Sequence, residues 1–297
     1  MSACSPCRAD DAAPRADANA MHAALGRAAI ASLYDELALA PKPGLVSFAD
    51  AGSHEDMDAS TFLRSLFALR HYFVRIAAQG AVSPSFAPLE ALGIEAERRM
   101  SRATGGVNTH RGAIFTLGLL CAAAGAAHAG GLPRHAASLR QVLLARWGEA
   151  LAARARHPRD THGARVARAY GLASASEEAA RGLPTLFEHV LPALREARRA
   201  GAGDRAAKLH ALFTAMAHVA DTNLVHRGGL PALCEARRLA REFLAEGGGL
   251  HALAAARAAR VHAIFVARRW SPGGAADLLA AACLVERMER LHDGTVR

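Results

Sequence analysis

Five polar islands interrupt a 297-residue chain that is otherwise rich in Ala, Leu and Arg: PKPGLVS (41–47), GSHEDMD (52–58), TGGVNTHRGAIF (104–115), DTNLVHRGG (221–229) and SPGGAADLL (271–279). Each sets Gly or Pro beside His, Asp, Asn, Arg or Lys, and most lead into an apolar stretch. Core packing does not ask for that mixture; gripping a charged, hydrogen-bonding ligand does. In the third island, Asn108, His110 and Arg111 stand where a long helix is predicted to begin. A helix start carries unpaired N–H groups and a partial positive charge. With Arg111 added, it makes an anion site suited to phosphate; an ordinary capped helix entry is the alternative.

The fifth island repeats the logic. Ser271 is a good N-cap and Pro272 a good first residue of a helix. Gly273 and Gly274 then fall in the first turn, where each costs roughly 1 kcal/mol relative to Ala, so something should approach the backbone closely. Asp277 shares their face and could hold a phosphate-bound Mg2+ or a ribose hydroxyl, or only compensate the helix dipole. In GIEAERRM (93–100), Glu97 lies toward the apolar face, whereas Glu95 can pair with Arg99 in solvent. An inward carboxylate is rare without a partner, which makes Glu97 a site candidate unless an arginine pairs with it. Asp221 could be a metal ligand or a base and Arg227 a phosphate contact, against plain capping and turn chemistry. Asp58 reads as an N-cap; His54 and Asp56 are less easily explained that way. Pro41 and Pro43 hold Lys42 on a stiff loop, suited to a fixed phosphate contact. VNTHRGA (107–113) and TNLVHRGG (222–229) echo each other and suggest two similar ligand-facing corners. No Walker A loop, dinucleotide-binding glycine fingerprint or zinc signature is present.

The elements that must position these islands read as helices. Apolar residues make up 52% of the chain but aromatics only 5%, and the alternating Val/Ile/Tyr runs of strands are nearly absent. The fold class is all-α: a single multi-helix domain of about ten or eleven helices with short Gly/Pro-rich connections, spanning 17–297 after a disordered tail at 1–16. Helices are predicted near 17–40, 59–79, 88–103, 112–129, 135–156, 161–170, 184–200, 204–220, 230–246, 249–269 and 272–292. The apolar stretch 112–131 contains glycines and His128 and fits a buried core helix better than a membrane span. A net charge of +9, carried almost wholly by Arg, favours anionic ligands. No basic cluster interleaved with aromatics points to nucleic acid. Cys121, Cys234 and Cys283 read as buried thiols, and the C-x-x-C at Cys4 and Cys7 as a loose tail. No signal-peptide pattern is visible, and the cytoplasm is the expected compartment.

Taken in order, PKPGLVS, GSHEDMD, GIEAE, GVNTHRGAIFTLGLL, THG (161–163), DTNLVHRGG and SPGGAADLL resemble the triphosphoribosyl-dephospho-CoA synthases over about 30–290. The resemblance is closer to the malonate decarboxylase branch than to the citrate lyase branch. It implies an all-helical enzyme that joins ATP to 3′-dephospho-CoA, releases adenine, and makes the precursor of an acyl carrier protein's prosthetic group. It also implies Mg2+ with the ATP, a hand-off to a phosphoribosyl-dephospho-CoA transferase or the carrier protein, and neither nucleic acid nor membrane as partner. On that reading Lys42, Arg111 and Arg227 meet phosphates. Glu97, Asp221 and Asp277 share metal binding and base work, and His54 and His110 are candidate acids. Asn108 and Asn223 orient ribose or base, and the Gly273-Gly274 backbone approaches substrate. Two rivals stand: an ATP-directed nucleosidase or nucleotide hydrolase using the same groups with water, and a basic helical adaptor with Arg spread over one surface.

Overall fold

The computed structural model describes residues 12–158 and 162–292, with side chains from 16–158 and 163–292. Among them there are helices, a π-turn and a 3-10 turn, and no strands. In chain order the helices are α1 (Ala12–Ala38), α2 (Ala59–Leu69), α3 (Tyr72–Val82), α4 (Ala87–Ala103), α5 (Arg111–Ala129), α6 (Ala136–Arg156), α7 (His162–Tyr170), α8 (Ala175–Ala180), α9 (Leu191–Arg199), α10 (Asp204–His218), α11 (Thr222–Ala245), α12 (Ala254–Ala267) and α13 (Gly273–His292). Residues 1–11, with Cys4 and Cys7, and Thr161 of the THG motif lie outside the described residues.

α5 is the hub, packed against α1, α3, α4, α6 and α13. Its alanines and glycines explain how so many neighbours fit. A Cβ on Gly125 would lie 2.0 Å from the Ala77 carbonyl, and one on Gly80 of α3 would lie 2.2 Å from the Ala122 carbonyl. Only small side chains let two helices approach that closely. α5 is long and apolar enough to cross a membrane, but 78% of its apolar stretch is buried inside the protein. Its apolarity serves the core, as expected.

Departures from the predicted helices have local causes. The single helix expected over 59–79 is two, split between Leu69 and Tyr72. The expected 184–200 helix opens as a π-turn over Thr185–Val190 before α9. Pro192 lacks the N–H that a regular α-helical turn would use there. The break expected at 228–231 is a kink inside α11, where Gly228 and Gly229 leave helical geometry and Pro231 follows. α8 was not predicted, although Ser174 and Glu177 form the capping box that announces a helix start. Cys121 and Cys283 are buried free thiols, but Cys234, expected inside, is exposed. It lies on the outer face of α11.

Candidate active site

The starts of α5, α11 and α13 face one cavity of about 350 Å³. All five islands contribute to its wall: Leu45 and Val46, His54 and Asp56, Asn108 to Gly112, Asn223 with His226 and Arg227, and Ser271 with Gly273 and Asp277. Glu36 joins them from the last turns of α1. Segments separated by more than 200 residues therefore share one pocket, and both His-Arg corners of the internal echo open into it.

Two aspartates fasten the three helix starts together. Asp221, 1% exposed, caps its own helix: its Oδ1 accepts from the N–H groups of Asn223 (2.9 Å) and Leu224 (3.3 Å). Its Oδ2 accepts from Ala275 N–H of α13 at 3.2 Å, and the Gly274 N–H donates as well. Asp277, one turn into α13, in turn accepts from the Ala113 N–H of α5. The first-turn glycines follow from this closeness. A Cβ on Gly273 would sit 2.7 Å from Asn223 Nδ2, and one on Gly274 would sit 3.1 Å from Asp221 Oδ2. Gly273 also lines the cavity; Gly274 accommodates Asp221 and does not. Several of the amides expected to hold an anion are thus already taken by carboxylates.

Burial raises the Asp221 carboxyl to about 6, against the pull of four backbone N–H donors. Between the ordinary carboxylate range and that value the native protein keeps a proton that the unfolded chain has released. Stability is therefore lost as pH rises through this window, on the order of 3 kcal/mol for a shift of about two units. Asp221→Asn has no proton to lose there. The melting-temperature gap by which wild type exceeds this variant should shrink by several degrees between pH 4.5 and 7, at about 2–4 °C per kcal/mol. A constant or widening gap would contradict the assignment.

Other candidates fall into place or out of it. Lys42 does not reach the cavity: its Nζ, 1% exposed, lies 2.5 Å from Glu36 Oε1 and 2.7 Å from the Glu36 carbonyl. The PKP loop folds back on α1, so the ammonium neutralises a carboxylate rather than a phosphate. Glu97 does not join Asp221 and Asp277. It lies in a separate groove bordered by Tyr72, Leu89, Phe115 and Arg154, with its carboxylate 3.6 Å from Arg111 Nε. The cause is the packing of α4 along α5, which presents Glu97 to the flank of α5. Among the described residues no three His, Cys, Asp or Glu side chains group to hold an ion. The expected metal trio is therefore not assembled, and of its members only Asp277 lines the cavity.

Both histidines are held neutral. His110 is pushed down to about 3 by burial and then by the Lys42 charge. Its Nδ1 is 2.7 Å from Ser65 Oγ, and its buried Nε2 has no partner among the described residues. His54 is lowered by burial first and by Arg227 next. Arg227 Nη2 donates to His54 Nδ1 at 3.1 Å, so Nε2 carries the hydrogen and donates to Ser271 Oγ at 2.9 Å. An imidazolium acid is disfavoured at either ring, and His54 instead positions Arg227. That guanidinium also donates to the carbonyls of Ser53 and Arg269. Asn108 Oδ1 accepts from the Arg111 N–H at 3.1 Å, which makes it a cap for α5 at the cavity rim. The residue that sequence reasoning missed is Glu36. Its signal was an acid at a position of α1 where Leu25, Ala29 and Leu33 form a buried stripe, six residues before a proline-flanked lysine.

Comparison with known proteins matches the chain to a family. Residues 22–296 fit the family model described as ATP:dephospho-CoA triphosphoribosyl transferase. A relative in Stutzerimonas stutzeri, named as a probable 2-(5″-triphosphoribosyl)-3′-dephosphocoenzyme-A synthase, is 43% identical over 88% of this chain and 90% of its own. One in Acinetobacter calcoaceticus with the same name is 38% identical over 87% and 88%. A Klebsiella pneumoniae protein, named as 2-(5″-triphosphoribosyl)-3′-dephosphocoenzyme-A synthase, is 38% identical over 89% and 94%. No solved structure matches the chain. The islands gathered around this cavity are those of an enzyme, and the chain belongs to the ATP:dephospho-CoA triphosphoribosyl transferase family.

Proposed function

We propose that the protein transfers the 5-triphosphoribosyl group of ATP to the 2′-hydroxyl of 3′-dephospho-CoA and releases adenine. The observation that carries this reading is one cavity whose wall carries Arg111 and Arg227 together with the carboxyl groups of Glu36, Asp56 and Asp277. Breaking the N-glycosidic bond at C1″ builds positive charge on the ribose, as in glycoside hydrolysis, and carboxyl groups serve such chemistry. The triphosphate is retained, so it acts as a handle that positions the sugar. Guanidinium groups and the remaining helix-start amides suit that grip. His110 Nε2, buried and without a partner among the described residues, is a ready hydrogen-bonding point for the substrate.

Mg2+ enters with ATP as part of the substrate. Such an ion keeps waters and phosphate oxygens and asks the protein for only one or two carboxylates. That demand fits a site with no preassembled metal nest. ATP and dephospho-CoA are metabolites of the cytoplasm, where this reading places the reaction. Of the two branches we favour the one serving malonate decarboxylase, with the product passing to a phosphoribosyl-dephospho-CoA transferase and then to the carrier protein. Feeding the product to each branch's carrier protein with its transferase would test that assignment.

The main test is mass spectrometry after incubation with ATP, Mg2+ and dephospho-CoA. Adenine and the conjugate should appear together. Free triphosphoribose, formed equally with and without dephospho-CoA, would make the protein a nucleotide hydrolase instead. Arg111→Ala should raise KM for ATP about ten- to hundredfold while kcat falls less, the pattern of lost ground-state binding. An unchanged KM in steady-state assays would remove Arg111 from the phosphate grip.

A further inference from the structure

Of the three carboxyl groups on the cavity wall, Glu36, Asp56 and Asp277, the first and last have opposite surroundings. Glu36 comes from α1, is 5% exposed, and has one oxygen in an ion pair with Lys42. Its other oxygen has no donor among the described residues, and the residue lines the cavity. Lys42 is fixed in turn: besides the Glu36 side chain it donates to the Glu36 carbonyl, and its own carbonyl lies 2.6 Å from His262 Nδ1. Asp277 comes from α13, lines the same cavity, and makes no ion pair among the described residues. The other charged or titratable groups around this pair are Asp50 near Lys42, Asp221, and, on the shared wall, His54, Asp56, His110, Arg111, His226 and Arg227.

We propose that Glu36, gripped by Lys42, takes the proton of the incoming 2′-hydroxyl, and that Asp277 gives a proton to the departing adenine. The inference rests on the triphosphoribosyl-transfer reading and deepens it. Burial first, then the charges of Glu36 and Asp221, hold the Asp277 carboxyl well above the usual carboxylate range, which favours the protonated form an acid needs. One carboxylate with a cation partner and one carboxyl without is the division that paired acid and base catalysis requires. The step balances: the O2′–H proton moves to Glu36, O2′ bonds to C1″, the C1″–N bond breaks with its electrons going to adenine, and adenine takes the Asp277 proton. Net transfer of one proton from Glu36 to Asp277 then resets the pair.

Azide provides the test because it attacks C1″ without needing deprotonation. Wild type must first give adenine and conjugate in equal amounts; if it does not, the transfer reading itself fails, whatever Glu36 does. Given that activity, Glu36→Gln should lower kcat about 10²–10⁴-fold, with KM for ATP within about threefold of wild type. Added azide should then raise adenine release by Glu36→Gln about tenfold or more, with triphosphoribosyl azide as the product. The double variant Glu36→Gln/Lys42→Met, which leaves neither charge buried alone, should show the same response and guards against misfolding of the single variant. Near-wild-type turnover by Glu36→Gln would overturn the proposal. So would low turnover with no azide response in a variant that melts cooperatively.

Discussion

Replacing Asp277 by Asn should lower kcat about a thousandfold, within the range that general acid catalysis supplies, while leaving the protein at least as stable as wild type. The two effects separate because the residue is badly placed for stability and well placed for chemistry. Its carboxyl lies deep in the protein with Glu36 and Asp221 nearby and no ion pair among the described residues. Burial first, and then those neighbours, raise it, so an ionised Asp277 is a cost to the fold. An amide of the same shape keeps an oxygen for the Ala113 N–H and carries no charge, so the cap on α5 survives. What it cannot do is release a proton to a leaving base. Steady-state kinetics and a thermal melt on one preparation decide the matter. Turnover within about tenfold of wild type would show that Asp277 is a structural cap only, and a sharply lowered melting temperature would show that its carboxyl is needed for the fold.

Gly112→Ala should cost activity nearly as much by a different route. Gly112 is in the first turn of α5, where Ala would improve helix propensity by roughly 1 kcal/mol. Against that gain, its Cβ would lie 2.0 Å from Asp277 Oδ2 and 3.0 Å from Asp277 Cγ. Either the carboxyl rotates away or α5 and α13 move apart, and overpacking of this kind costs about 1–3 kcal/mol. A change in melting temperature of only a few degrees is therefore expected, because the two terms partly offset. The catalytic carboxyl, however, is displaced by an ångström or more, and kcat should fall about a hundredfold. Normal kinetics in Gly112→Ala would mean that Asp277 tolerates displacement, which would weigh against its direct part in the reaction.

The helical fold was legible because composition alone carries it: alanine and leucine in abundance, few aromatics and almost no alternation. The gathering of the islands was legible too, since Gly, Pro, His and Arg at helix starts are not core residues. Partnerships were harder to read. Lys42 looked free on a stiff loop, but the loop's return onto α1 is a tertiary fact, and it gives the ammonium to Glu36. Glu97 faced inward as periodicity suggests, yet inward for α4 means the side of α5 and Arg111. Asp221 was read as a ligand or base because spacing cannot show that the N–H groups of a helix some 50 residues later occupy its second oxygen. His54 and His110 have the right identity for proton transfer, but burial, which sequence does not display, keeps them neutral.

The relay of aspartates from α11 to α13 to α5 has a dynamic consequence. Asp221 holds the start of its own helix and that of α13, and Asp277 of α13 holds that of α5, so none of the three can fray independently. In deuterium exchange, the amides of Asn223, Leu224, Gly274, Ala275 and Ala113 should open and close in concert, at one shared rate, although they span the chain. Occupancy of the cavity by nucleotide would slow that common rate everywhere at once, making distant backbone protons a gauge of what the pocket holds.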